Sequence, residues 1–449
     1  MDKFELFENV RRTVKGYRKF LDEHHTAKAE RWEEIPLTTK QNYLLSYPVE
    51  ELIRENSFKK CFLIGASSGF SKSGSVLWLK EKEDEAEYLE KVRDLFIDNY
   101  AIDKKSTLII VSLALGTWIG GMQLACTVRS LAGKVDGVVA ATPGIDLKES
   151  AHIAKTFGHM FEQIVWITNP SSINILYALL RNEKELLSGK IFFPVVGEYF
   201  TESFREKTAS KFGHEPGNVY VVKTGYGSAD TGDLGIESKE TIMLRKFLNN
   251  HPEMSEKLFH NANPPMFFVK NDAAFLETIN GSLVVTKDQF VPLVRYDTKD
   301  TGQVFRKEIL KGSGLDKQVY DNLPDEILYV FGRVSDAIVF YGTNLNTYAA
   351  GDFLNALDET YKYGGLYEVK KGEKNDVEFL EFTVFVLEEK SGLSERYQKA
   401  LVEFLKASSN EFTAKYDKLS AAANEELVKV RTVPIAQKNL AQKHHTIKN

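Results

Sequence analysis

The chain has 449 residues, 43% of them hydrophobic and 27% charged, with a formal net charge of -5. This is enough apolar material for a large core and more than one domain. Its dispersed, slightly acidic balance argues against a nucleic-acid polyanion as main partner, because that partner selects a basic face. Only two cysteines occur. Cys61 in an expected buried strand and Cys126 in an apolar helix support neither a disulfide framework nor a cysteine metal site, and both are expected in the core.

Residues 1–58 are charged and helix-like, broken by Pro36 and Pro48, and read as a helical cap. The start, Met1-Asp2-Lys3-Phe4-Glu5, lacks a signal peptide's apolar stretch, and Leu108 to Leu115 is too short to span a bilayer, so a cytoplasmic chain without a membrane partner is expected. Between 60 and 225, β-rich runs beginning at Thr107, Gly137, Ile164, Ile191 and Val219 alternate with helical stretches Asp84 to Tyr100, Gly121 to Leu131 and Glu202 to Phe212. Such alternation marks α/β layers with a largely parallel sheet. From about 264 the strands come close together, and Asn280-Gly281 between alternating runs signals a hairpin. After Asp336 the pattern is strand, helix (Ala349 to Tyr361), strand pair and long helix (Ser394 to Ser408), then a basic tail. The expected fold class is α/β. A large N-terminal domain, 1–334, comprises the cap, a core of mostly parallel layered sheets flanked by helices (60–262) and a β-rich subdomain (263–334), followed by a small α+β C-terminal domain, 335–449.

Four clusters carry chemistry. Gly65 to Ser75 (Gly-Ala-Ser-Ser-Gly-Phe-Ser-Lys-Ser-Gly-Ser) follows an apolar strand. Alone it reads as a surface turn, yet its amides, hydroxyls and Lys72 are what a polyphosphate cradle requires. Tyr226-Gly227-Ser228-Ala229-Asp230 stands at an expected strand end, where open parallel sheets bind ligands. Arg295-Tyr296-Asp297-Thr298-Lys299-Asp300 offers Asp300, a carboxylate able to accept both ribose hydroxyls. Phe331 to Leu345 places Arg333 beside a domain boundary, from which it can reach a phosphate in one domain arrangement only. Each has an ordinary alternative: a turn, a surface acid, an ion-pair partner.

In order and spacing, the four clusters resemble those of the adenylate-forming acyl and aryl CoA ligases. The short phenylacetate-CoA ligase branch is the nearest match, since the glycine-rich loop begins already at Gly65. Ser67, Ser68 and Gly69, with Ser71, Lys72 and Ser73, correspond to its phosphate loop. Gly116-Thr117-Trp118-Ile119-Gly120-Gly121 is similar to its acyl-pocket stretch, and Gly197-Glu198-Tyr199 to the segment whose backbone borders the adenine. Tyr226, Gly227 and Ser228 match its Tyr-Gly-x-Ser/Thr-Glu motif, and Gly332 to Leu345 its Gly-Arg-x-Asp-Asp hinge motif, with Ser335 and Asp336 at the hinge.

The resemblance implies an ATP-dependent carboxylate activation through acyl-AMP, followed by thioester formation, with CoA as acceptor. The cofactors implied are ATP/AMP, magnesium, for which Asp230 is the metal candidate, and CoA; the partners are a small carboxylic acid and a second copy in a homodimer. Trp118, Gly120, Gly121, Tyr199 and Tyr226 would line the substrate pocket. The C-terminal domain would be a mobile lid carrying a catalytic lysine, Lys443, with Lys438 as the alternative, and turning about Arg333.

Four departures stand out: Lys72-Ser73 where the family has Gly-Lys, Ala229 for a hydroxyl residue, Asp230 for glutamate, and Ser335 for aspartate. They leave open transfer to a carrier protein or amine, and a degenerate binder of nucleotide or acyl-adenylate. Gly65-Ala66-Ser67-Ser68-Gly69 is also formally Gly-x-Ser-x-Gly, which would make Ser67 a hydrolase nucleophile with His214, His251 or His260 as its histidine.

Overall fold

The computed structural model describes residues 2–66, 76–333, 337–340, 343–374, 377–408, 413, 416, 427–438 and 447–448. Asp2 starts α1 (Lys3–Thr13) by accepting the N–H groups of Phe4 and Glu5 at 2.7 and 2.9 Å, while Glu5 reaches back to the Asp2 N–H. With α2 (Lys15–Glu23) it buries Phe7, Val10, Tyr17 and Phe20 against Tyr43, Trp78, Leu293 and Tyr296. The cap is thus part of the core. A hairpin of β1 (Cys61–Ala66) and β2 (Leu77–Glu81) follows.

The α/β segment runs α3 (Lys82–Tyr100), β3 (Thr107–Val111), α4 (Ile119–Ala132), β4 (Val138–Ala141), α5 (Leu147–Phe157), β5 (Gln163–Ile167), α6 (Pro170–Leu180), β6 (Ile191–Val195), α7 (Glu202–Lys211) and β7 (Val222–Ser228). Next come β8 (Gly232–Ile236), α8 (Lys239–Asn249), α9 (Pro252–Phe259), β9 (Met266–Lys270), β10 (Ala274–Ile279), β11 (Ser282–Lys287), β12 (Leu293–Arg306), α10 (Lys317–Asn322) and β13 (Glu326–Arg333). All these strands from β3 onward join one eleven-stranded sheet, ordered β10-β11-β12-β13-β9-β8-β7-β6-β5-β3-β4. It is parallel from β4 to β7 and antiparallel from β7 to β10. The β-rich segment therefore extends the α/β sheet through the β7–β8 hairpin instead of building a separate one.

The inner parallel strands β3 and β5 are buried at every position and mostly apolar because both of their faces are covered. Leu108 and Ile110 face α5 and α6, while Ile109 and Val111 face α3 and α4. The expected hairpin forms, with Asn280 and Gly281 at φ 52° and 80° between β10 and β11. Cys126 is a correction: α4 directs Leu124, Ala125, Val128 and Leu131 inward, which leaves Cys126 exposed, and Cys61 is only half-buried. No helix among the described residues is long and apolar enough to cross a membrane.

The rest comprises β14 (Ala337–Phe340), β15 (Thr343–Asn346), α11 (Thr347–Ala356), β16 (Tyr363–Lys374), β17 (Val377–Val386), α12 (Leu393–Ser408), β18 (Val428–Pro434) and β19 (Ile447–Lys448). A four-stranded sheet, β18-β17-β16-β19, packs on α11 and α12 around Leu354, Val369, Val384, Tyr397 and Leu401. Its Leu366 and Phe385, with Ile435 just after β18, join the core cluster of the large sheet. At this seam Gly365 has φ 84°, and a Cβ there would lie 1.9 Å from Asn174 Nδ2 on α6. Gly365→Ala is accordingly expected to force the seam apart and lower stability by about 1–3 kcal/mol, the usual cost of overpacking. A fall in the urea midpoint checks this.

Candidate nucleotide site

Tyr226 lies within β7, not beyond it as the sequence pattern indicated, because pairing with β8 carries the strand through to Ser228. On the antiparallel side of the same sheet, β12, between β11 and β13, does not run straight. Between Val284↔Asp297 and Ser282↔Thr301 it holds extra residues opposite β11, with Lys299 in the left-handed region at φ 64°. Such a bulge re-aims side chains. Here the Asp300 carboxylate accepts the Tyr226 hydroxyl at 2.7 Å. Across the other edge of β12, Asp300 stands opposite Arg333 on β13, which brings the backbones of two separate motifs into register.

A second tie joins the same two segments, as the Tyr296 hydroxyl donates to Asp230 at 2.6 Å. The β7–β8 turn carrying Asp230 is further fixed from inside. Ser228 Oγ accepts the N–H groups of Asp230 and Thr231 at 3.2 and 3.1 Å, and Lys287 donates to the carbonyls of Thr231 and Asp233 at 2.9 and 2.8 Å. Burial pushes the Lys287 ammonium down to about 8, against the opposing pull of Asp233. Gly227 and Ser228 are exposed at the strand end, and Tyr226 is half-buried beside Phe268.

The stretch expected to line an acyl pocket meets the end of β1. Trp118 caps α4 and bridges Ala66, whose N–H donates to Thr117 O at 2.6 Å immediately before residue 67. Gly120 and Gly121 fall in the first turn of α4. Gly121 is needed there, since a Cβ would sit 2.0 Å from the Ala114 carbonyl oxygen. Gly197 has φ 84°, and the Glu198 carboxylate accepts both Ser171 N–H and Ser171 Oγ at 2.9 Å, at the start of α6. Gly197 itself is exposed.

Ser67, Ser68, Gly69, Ser71, Lys72, Ser73, Ser335, Asp336 and Lys443 lie outside the described residues, and Arg333 is described by its backbone alone. Lys438, the alternative lysine, donates to Glu368 at 2.7 Å and lies over the Phe385 ring at 4.9 Å. Of the histidines considered with Ser67, His214 and His251 each hold a backbone carbonyl, of Ile191 and Phe247, at 2.7 and 2.8 Å. Arg295, part of a matched motif, is buried and donates to the carbonyls of Trp32, Glu33 and Ile35, which ties the N-terminal cap to β12.

One cluster was missed by sequence reasoning. Glu202, Arg205, Glu237 and Arg245 are each at most 2% exposed. Arg205 bridges Glu202 at 3.0 Å and Glu237 at 2.6 Å, and donates to the Val222 carbonyl. Glu237 also accepts the Thr224 N–H at 2.9 Å. Arg245 reaches Glu202 at 3.2 Å, the Tyr199 hydroxyl at 2.6 Å and the Phe200 carbonyl at 2.8 Å. Burial opposes the charge of Glu202, but Arg205 and Arg245 outweigh it and hold the carboxyl below its usual range.

No family model matches the chain, and no curated protein matches it in sequence. A structure of 2-hydroxyisobutyryl-CoA ligase in the postadenylation state, in complex with R3-HIB-AMP, aligns over 98% of this chain and 86% of its own, at TM-score 0.64 and 14% identity. The same enzyme with 2-HIB-AMP and CoA in the thioesterification state aligns at TM-score 0.52 and 14% identity, with the same coverage. A GH3.15 acyl acid amido synthetase aligns over 94% of this chain and 84% of its own, at TM-score 0.58 and 10% identity. The chain has the adenylate-forming fold. In this chain the large sheet carries Tyr226 near the end of β7, Asp300 within β12 and the Arg333 backbone at the end of β13, and the smaller four-stranded sheet packs against α6.

Proposed function

We propose that the protein is an AMP-forming acid–thiol ligase of the phenylacetate-CoA ligase type, which activates an aromatic or other small organic acid. The observation that carries this is the Tyr226–Asp300 hydrogen bond at 2.7 Å, opposite the Arg333 position, on an adenylate-forming fold. In the first step an oxygen of the acid bonds to the α-phosphorus of ATP, the α–β phosphoanhydride bond breaks, and pyrophosphate leaves with its electron pair. In the second, the acceptor sulfur bonds to the acyl carbon, AMP leaves as its acyl C–O bond breaks, and the thiol proton passes to solvent.

An anion attacks an anion in the first step, so catalysis rests on preorganised positive charge and amide donors. Residues 67–73 supply loop amides, hydroxyls and Lys72; Lys443 supplies the second cation; and Asp300 holds the ribose diol. Among the described residues no three His, Cys, Asp or Glu side chains converge. Asp230 offers one carboxylate, which suits a magnesium ion that keeps most of its shell as water and phosphate oxygen, and such an ion would neutralise phosphate charge. Residues 335–449 would be the domain that moves between steps, about Arg333, Ser335 and Asp336.

CoA is the favoured acceptor, with the likeness to an acyl acid amido synthetase supporting an amine as the second choice. A panel of aryl and aliphatic acids tests the reading by acid-dependent exchange of labelled pyrophosphate into ATP. Adding CoA or amines then identifies the acceptor from the product. Nucleotide binding with no exchange for any acid would favour the degenerate binder.

A further inference from the structure

Buried ion pairs are poor stabilisers, because desolvation cancels much of their attraction and apolar replacements often do as well. Four such charges in one place therefore call for a role other than stability. The group of Glu202, Arg205, Glu237 and Arg245 balances two charges of each sign and joins two stretches of chain that the sequence separates. On one side it holds Val222 and Thr224, which lead along β7 to Tyr226. On the other, through Arg245, it holds the Tyr199 hydroxyl and the Phe200 carbonyl, directly after Gly197-Glu198, while Arg205 lies 4.9 Å from the Phe200 ring centre. Arg245 also lies 4.9 Å from the Tyr199 ring centre, so it fixes both the ring's face and its hydroxyl.

We infer that Arg245 is a positioning residue for the nucleotide: its guanidinium clamps the 197–200 segment to Glu202, and so to the Tyr226 strand, setting the gap that an adenine nucleotide occupies. This rests on the adenylating reading. A lysine at 245 keeps the charge toward Glu202 but lacks the planar fork that serves Glu202, Tyr199 and Phe200 together. Tyr199→Phe removes one hydroxyl and leaves the ring in place.

The test is calorimetric titration of the full chain with AMP and with ATP, for the wild type, Arg245→Lys, Tyr199→Phe and the double variant, beside thermal melts. The clamp predicts about a tenfold loss of AMP affinity in each single variant, the scale of a lost hydrogen bond to a charged group. The double variant should lose less than the product of the two, because both remove one contact. The melting temperature of Tyr199→Phe should stay near wild type. With any acid that supports exchange, KM for ATP should rise more than kcat falls. Wild-type AMP affinity in Tyr199→Phe, or in a folded Arg245→Lys, overturns the clamp while leaving the adenylating reading intact. A wild-type chain that binds neither AMP nor ATP overturns the reading and the clamp with it.

Discussion

Asp300→Ala is expected to abolish acid-dependent pyrophosphate exchange, with a loss on the order of a hundredfold or more in kcat/KM. A carboxylate that accepts both ribose hydroxyls makes two charge-assisted hydrogen bonds, each worth about 1.5–3 kcal/mol, and about 2.7 kcal/mol is already a hundredfold. Asp300 is held for this by the β12 bulge and by Tyr226 at 2.7 Å, so its orientation is fixed before ligand binds. Tyr226→Phe should therefore act in the same direction but more weakly, by about tenfold, because it frees the carboxylate to rotate without removing it. Steady-state exchange at varied ATP checks both, and a stable Asp300→Ala protein with near-normal exchange would remove the site from its assigned place.

The two candidate lysines separate more sharply. Lys438 is 9% exposed, paired with Glu368 at 2.7 Å and stacked on Phe385, so it is anchored to β16 and β17. Lys438→Ala should cost about 1–3 kcal/mol of stability through the loss of a partly buried charge partner and change adenylation little. Lys443→Ala should lower adenylation by about a hundredfold or more, the scale of removing one preorganised transition-state donor, with a smaller effect on thioester formation from supplied acyl-AMP. Single-turnover assays of the half-reactions, with urea melts, distinguish the two. Equal loss in both half-reactions for Lys443→Ala would count against its assignment.

The parallel half of the sheet was legible because strands buried on both faces carry apolar runs, such as Leu108–Val111 and Ile164–Ile167, between helical stretches. The clusters were legible because glycines and turn residues stand out locally, as in Tyr226-Gly227-Ser228-Ala229-Asp230 at the end of β7. What the sequence hid was long-range. Nothing local announces that β8 turns back on β7 and merges the β-rich segment into the same sheet, or that Arg295 serves carbonyls some 260 positions earlier. Glu202, Arg205 and Arg245 are charged residues on helices and look like solvated positions; only tertiary packing brings them to Glu237. Cys126 failed for a simpler reason, since an apolar helix still has an outer face, and one residue from Ala125 is enough to turn a side chain to it.

Acid-dependent exchange of labelled pyrophosphate into ATP by the purified wild-type chain tests the central claim most directly. The adenylating reading predicts exchange with at least one aryl or aliphatic acid of a broad panel, no exchange without acid, and its loss in Asp300→Ala. No exchange with any acid, from a protein that still binds ATP, would contradict it.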